Sequence, residues 1–308
     1  MIHSILEGMA ICAYAIGAHK GFIYFRSTYP SLEKTLNLAV NQAKGKGILD
    51  NLDIEVLMGA EAAANKNETV FKKSPTRHRG EPKYRSFHPP FPDLQEQPAI
   101  INNIETYANI PHIIEKGASW FAGIGAANFP GTKVITLSGD VKNRTFMEVP
   151  TNVTIREIIE KFGQGMREDR KVKAIQVGGA SGSFIPKALL DTPIDFDSLA
   201  AAGAALGSGA FLVLDEGRDM VDVAARIVEL FISEPDGKCP FCQKGGEGIR
   251  EILEKFHSYK GTSKDLAELK RLGETMVSNC LCGLSPRLVN PLISTINNFA
   301  IDYYTKIQ

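Results

Sequence analysis

Apolar residues recur at helical spacing over residues 4–17, where Leu6, Met9, Ala10, Ala13 and Tyr14 fall on one face. Gly21-Phe-Ile-Tyr-Phe-Arg26 then reads as a buried strand. Ser31 is placed to cap a second helix with Leu32, Leu36, Val40 and Ala43 on its apolar side, stopped by Gly45 and Gly47. Ile54-Glu-Val-Leu-Met58 is the next strand, followed by Gly59. Strand, helix and strand at this spacing predict a βαβ unit with parallel strands. An α/β sheet ordinarily needs about four or more strands. Only two precede the polar stretch from Asn65 to Arg85, which holds seven Lys or Arg against two Glu. That stretch is either a solvated loop or a surface for phosphates or a partner.

Pro89-Pro-Phe-Pro92 and Pro98 mark a rigid connection, and a helix is expected from Asn103 to Lys116. Further strands are expected at Thr132 to Leu137, Thr145 to Val149 and Val172 to Val177. Ser138-Gly139-Asp140 makes a turn between the first two. Thr154-Ile-Arg-Glu157 is a capping box before Ile155, Ile158, Ile159 and Phe162. Hairpin, helix and strand suggest a small α+β module of the β-grasp kind. Ser198 to Leu214, rich in Ala and Gly, reads as a buried turn. From residue 219 the periodicity is helical, over 219–233, 246–258, 263–278 and 290–304. Thr262-x-x-Asp265 starts the third of these helices, and Asn290 with Pro291 starts the fourth. The stripes Ile249/Ile252/Leu253/Phe256 and Leu292/Ile296/Phe299/Tyr303 are core faces of a four-helix bundle.

The balance of 35 Lys+Arg against 35 Asp+Glu gives no net charge, which excludes the basic field of a nucleic-acid binder. Ser198 to Leu214 is too short and too weakly apolar to span a bilayer. No basic region precedes the first apolar run, as a signal peptide would require. A cytoplasmic protein of about two domains is expected, at roughly 150 residues per domain.

Five cysteines are unevenly placed: Cys12 in an apolar helix pattern, then Cys239, Cys242, Cys280 and Cys282. Cys-Pro-Phe-Cys puts two thiolates on one turn, and Cys-Leu-Cys follows after 37 intervening residues. Such a set can close a tetrahedral metal or iron–sulfur site. The first pair falls just before the second bundle helix and the other just after the third. In an up-down bundle those points share one end.

Several strings now coincide in order: Glu7-Gly-Met-Ala-Ile11, Ala13-Tyr-Ala-Ile-Gly-Ala18, Arg79-Gly-Glu-Pro82, Pro89-Pro-Phe-Pro92 and Ile101-Asn-Asn-Ile-Glu-Thr106. Gly178-Gly-Ala-Ser-Gly182, Gly207-Ser-Gly209, Gly237-Lys-Cys-Pro-Phe-Cys242 and Leu281-Cys-Gly-Leu284 follow. Together they resemble the NADH-binding flavoprotein subunit of respiratory complex I and its counterparts in NAD-linked hydrogenases and formate dehydrogenases. The resemblance implies a Rossmann-like FMN and NADH-binding domain over 1–130, a β-grasp domain over 131–200 and a helical bundle with one [4Fe–4S] cluster over 201–308. A hydride would pass from NADH to FMN, and electrons would leave singly through the cluster. It also implies partner subunits, among them a small thioredoxin-like [2Fe–2S] protein, and a place in the cytoplasm or at the inner membrane's surface without a span of its own.

Three departures from the family pattern qualify this. The match begins about halfway through the family's nucleotide domain, so the expectation is either that another chain supplies the upstream glycine loop and half of the sheet or that the domain is truncated. Alone, the chain is expected to lack NADH dehydrogenase activity. The family string GAGAYxCGEET is eroded to Gly59-Ala-Glu-Ala-Ala-Ala-Asn-Lys-Asn-Glu-Thr69, in which Gly59, Glu68 and Thr69 hold their places and Glu61 brings a new negative charge. Asn102, Asn103 and Thr106, which the family uses at FMN, are present, and would either bind a flavin or only cap the helix that follows. In the cluster motif Asp236 replaces the first cysteine. Cys239, Cys242 and Cys282 remain as ligands, with Asp236 or Cys280 as the fourth. A [3Fe–4S] cluster or a zinc ion on the clustered cysteines are the alternatives. The second functional reading is an adaptor that has lost FMN and NADH but keeps the bundle as an electron wire or as structure.

Overall fold

The computed structural model describes residues 2–26, 28–59, 93–94, 97–233, 240–279 and 284–308. The chain forms two compact units, Met1–Phe121 and Ala122–Gln308. The polar stretch 65–85 and the Pro89–Pro92 string lie outside the described residues.

In the first unit, helix α1 (Ile2–Ile16) leads into strand β1 (Lys20–Arg26), helix α2 (Ser31–Gly45), strand β2 (Asp53–Gly59) and helix α3 (Ile104–Lys116). The two strands are parallel, in register from Lys20 opposite Asp53 to Arg26 opposite Gly59. This is the βαβ unit expected from the pattern. Its core joins Leu6, Met9 and Ala13 of α1 to Ala39, Val40 and Ala43 of α2 and to Leu52 and Ile54. Tyr14 and Leu32, which share these faces by spacing, are exposed, because they lie at helix ends beyond the covered surface. Ser31 does not cap α2. Pro30 occupies the cap position with helical dihedrals and Ser31 is the first helical residue. Proline's fixed φ starts the helix without a side-chain cap.

In the second unit, strands β3 (Thr132–Gly139), β4 (Thr145–Pro150), β5 (Val172–Val177), β6 (Ser183–Pro186) and β7 (Ala210–Asp215) form one sheet in the order β6-β5-β7-β3-β4. β7 is parallel to β3 and every other pairing is antiparallel. The stretch read as a buried turn thus ends in the middle strand of the sheet. Gly207 and Gly209 take positive φ just before it, and the Ala/Gly run ahead of them hides the short apolar run Phe211 to Leu214 from a periodicity argument.

Strand alternation divides the core. Ile175, Val177, Phe211 and Val213 pack with Ile135, Leu137, Ile155 and Ile158, whereas Ala174 and Leu214 pack with Phe184, Met220 and Phe299. The capping box forms as expected: the Thr154 hydroxyl accepts from the Glu157 N–H at 3.2 Å, and the Thr154 N–H donates to Glu157 Oε2 at 3.1 Å.

The C-terminal helices are α4 (Met220–Ile232), α5 (Pro240–His257), α6 (Ser263–Asn279), α7 (Leu284–Asn298) and a short α8 (Ala300–Tyr304). Each of α4 to α7 packs on the next, and α7 closes on α4. Both predicted apolar stripes are buried, and the ring of Phe256 meets that of Tyr303 edge-on at 5.6 Å. Thr262 and Asp265 make their reciprocal cap at 3.0 and 3.1 Å.

The fourth helix departs from expectation. It starts at Leu284, not Asn290, and Pro291 lies inside it. Asn290 does not cap, because its side chain meets Ser183 Oγ and donates to the Ser181 carbonyl. One turn on, Ser294 accepts from the Phe184 N–H and Asn298 donates to the Phe184 carbonyl, both at 2.8 Å. α7 therefore satisfies the free edge of β6.

Candidate functional site

Pro240 opens α5 at the position where its missing N–H costs nothing, so Cys242 falls in the first helical turn instead of ahead of the helix. Three glycines follow. A Cβ at Gly245 would stand 2.6 Å from Met276 Sδ of α6, and one at Gly246 would stand 3.0 Å from Ile232 of α4. The absence of side chains there lets both neighbours close on the start of α5. Cys242 is buried, and its Sγ lies 3.1 Å from the Oγ of fully buried Ser285 in the first turn of α7.

The start of α5, the end of α6 and the start of α7 are thus assembled at one place. These are the described ends that border segments 234–239 and 280–283. Asp236, Cys239, Cys280 and Cys282 belong to those segments and lie outside the described residues, as does Lys238. Among the described residues no three His, Cys, Asp or Glu side chains are grouped to hold a metal ion. The one described thiol here, buried Cys242, is of the donor type that iron–sulfur clusters prefer. Two helix N-termini favour negative charge there, and the C-terminal end of α6 offsets part of that field.

The second set of candidates lies in the first unit. Asn103 is the N-cap of α3, its Oδ1 accepting from the Glu105 N–H at 3.0 Å. Asn102 takes no part in that cap. Its side chain hydrogen-bonds the hydroxyl of Tyr107, whose pKa burial raises above the ordinary phenol value. Asn102, Asn103 and Thr106 are all exposed. Asn102 borders a cavity of about 420 Å³ that is also lined by Met9, Cys12, Lys20, Phe22 and Tyr107. Cys12, expected in the core, is half-buried on this wall. The cavity borders the start of β1, whereas Gly59 closes β2 at the opposite end of the strand pair, so Gly59 takes no part in it. Glu68 and Thr69 lie outside the described residues.

The two glycine strings Gly178–Gly182 and Gly207–Gly209 meet each other. Ser208 donates to the Gly178 carbonyl at 3.2 Å, and a Cβ at Gly207 would stand 2.7 Å from the same oxygen. They serve close backbone approach at the end of the sheet. Ser285 and Tyr107 carry no spacing or motif signal, and only the packing identifies them.

The family described as Nuo51 FMN-binding domain matches residues 1–112, and that described as NADH-ubiquinone oxidoreductase-F iron-sulfur binding region matches residues 222–306. The chain is 41% identical to the NADP-reducing hydrogenase subunit HndC of Solidesulfovibrio fructosivorans, over 99% of this chain and 64% of that protein. It is 34% identical to an NADH-quinone oxidoreductase subunit of Rhizobium meliloti, over 99% of this chain and 75% of that one. Among solved structures, a chain of the NAD+-reducing [NiFe]-hydrogenase in its H2-reduced state superposes with a TM-score of 0.88 at 27% identity. That match covers all of this chain and 52% of the other. The chain therefore spans somewhat less than two thirds of the hydrogenase subunit HndC and about half of the hydrogenase chain of known structure.

Proposed function

The chain belongs to the family of NADH-binding flavoproteins found in the NADH-quinone oxidoreductases, and on that premise we propose that it carries electrons from NADH, through FMN, to a [4Fe–4S] cluster within a multisubunit oxidoreductase. The observation that carries the proposal is the assembly of the starts of α5 and α7 around buried Cys242, with the two other cysteine-bearing segments attached to the same helix ends. The likeness to the two matched families supports a cofactor at each end of the chain.

In this reading the first unit belongs to a Rossmann-like FMN and NADH-binding domain, the five-stranded sheet with its crossing helical turn to a β-grasp module, and α4 to α7 to the cluster-bearing bundle. Cys239, Cys242 and Cys282 hold the cluster with Asp236 or Cys280, while Asn102, Asn103 and Thr106 face the flavin with Glu68 and Thr69; Gly59, at the opposite end of the strand pair from Asn102, is left out of this set. When bound, the flavin accepts a hydride and the cluster passes single electrons. The protein excludes water from Cys242 and places the two helix starts against its sulfur. The partners are the other subunits of the complex. Among the described residues no helix is long and apolar enough to cross a membrane.

One observation favours the flavin-free adaptor: the Oδ1 of Asn103 is already committed to the α3 cap. Anaerobic purification with an absorption spectrum, flavin analysis and iron and sulfide determination separates the readings. Flavin together with iron and sulfide is expected. Iron and sulfide without flavin, even with co-expressed partner subunits, selects the adaptor, and zinc without iron overturns both.

A further inference from the structure

We propose that Ser285 sets the reduction potential of the cluster by donating its hydroxyl hydrogen bond to the sulfur of Cys242. The inference rests on the iron–sulfur reading above and goes beyond it, because it assigns a role to a residue outside the ligand set.

Three observations carry it. Ser285 Oγ lies 3.1 Å from Cys242 Sγ, within hydrogen-bond reach of a sulfur atom. Ser285 is fully buried, and Cys242 is exposed by only 8%, so bulk water does not compete for the hydroxyl. The pair also bridges two helices, α5 and α7, each through its first turn. The hydroxyl is held by the packing of two helix starts, with Gly245 against Met276 and Gly273 against Val289 closing the neighbouring layers.

The direction of the bond follows from the chemistry of the ligand. In the thiol form either atom can donate. A thiolate bound to iron has no proton, so Ser285 is then the donor and the sulfur the acceptor. A bond donated to a cluster sulfur stabilises the more negative, reduced state more than the oxidised one, which raises the potential. A hydrogen bond to a fully charged group is among the stronger ones, and the sulfur carries only part of a charge. The differential between the two oxidation states is therefore a fraction of such a bond's full strength. We expect the reduced-to-oxidised ratio at fixed poise to change about fivefold, equivalent to roughly 40 mV for one electron.

Ser285 is thus a positioning residue, and its test is a redox titration followed by EPR on the full chain, purified anaerobically with whatever subunits accompany it. Ser285→Ala is expected to lower the midpoint so that the reduced-to-oxidised ratio at fixed poise falls about fivefold, and Ser285→Thr, which keeps the hydroxyl, is expected to stay near the parent. A midpoint is the potential at which the reduced and oxidised forms are equal and does not depend on how much protein is loaded, so partial loss of cluster in the alanine variant leaves it readable. Ser285→Gly removes the hydroxyl by a second route and is expected to match Ser285→Ala. An unchanged midpoint in both hydroxyl-free variants overturns the inference while leaving the iron–sulfur reading intact. Absence of any iron–sulfur EPR signal and of acid-labile sulfide in the parent overturns the reading itself, and the inference with it.

Discussion

Gly8 on α1 faces the backbone carbonyl of Tyr107 on α3 so closely that a Cβ at position 8 would overlap that oxygen. The contact sets how near the two helices come. It therefore also places the start of α3, where Asn102 and Asn103 sit. A backbone atom cannot rotate out of the way as a side chain can. Gly8→Ala is expected to push α1 and α3 apart at a cost of about 1–3 kcal/mol. Denaturant unfolding followed by the fluorescence of Trp120, in the same unit, checks this as a fall in the midpoint. An unchanged midpoint would show that the two helices do not depend on this contact.

The two asparagines ahead of α3 can be separated by mutation. Asn103→Ala removes the cap and is expected to cost about 1 kcal/mol of stability. Asn102→Ala leaves the cap in place and is expected to alter stability less. If the pair holds FMN, both variants weaken flavin retention, and Asn102→Ala does so without the matching loss of stability. Flavin fluorescence of filtrates, set beside denaturation midpoints, measures both. Equal effects on flavin and on stability at both positions would mean that only helix capping is being read.

Arg218 holds Asp140 through two hydrogen bonds, at 2.8 and 2.5 Å, and the Asp215 N–H also donates to the carboxylate. The Arg218 guanidinium keeps the Asp140 carboxyl below the usual carboxylate range, against the opposing effect of burial. A carboxyl with a lowered folded pKa contributes stability above its unfolded value of about 3.9, and loses it as pH falls through the folded value. Asp140→Asn is expected to cost about 1–2 kcal/mol at neutral pH, since Arg218 is half exposed and partly screened. The gap between parent and variant should close below the usual carboxylate range. Denaturant midpoints across pH check this, and a gap that persists undiminished in acid contradicts it.

The cluster ligands make the sharpest prediction. Cys239→Ala, Cys242→Ala and Cys282→Ala should each abolish a cluster of about four iron atoms. Cys280→Ala and Asp236→Ala divide the remaining question, because only the fourth ligand should matter. Iron and sulfide content after anaerobic purification reads the outcome. Loss in neither of these two points to a three-iron cluster or to a ligand from elsewhere.

Much of this was legible along the chain. The parallel strand pair, the capping boxes at Thr154 and Thr262 and the buried stripes of α5 and α7 follow from periodicity and local hydrogen-bonding chemistry. These forces act within a few residues, so the sequence records them directly. The cysteine spacing likewise pointed to iron–sulfur chemistry, in keeping with the match of residues 222–306 to an iron-sulfur binding region.

What the sequence left open was decided by contacts between residues far apart in the chain. Asn290 reads as a cap, but Ser181 and Ser183 take its side chain, so α7 begins six residues earlier. Phe211 to Leu214 becomes the middle strand of a sheet only because β3 and β5 flank it. Ser285 has no motif of its own and matters because folding sets it against Cys242, 43 positions away. The sequence alone determined the local elements and the donor atoms, since both depend on neighbouring residues. The tertiary structure decided which of those atoms meet, because close packing joins groups whose separation along the chain carries no local signal.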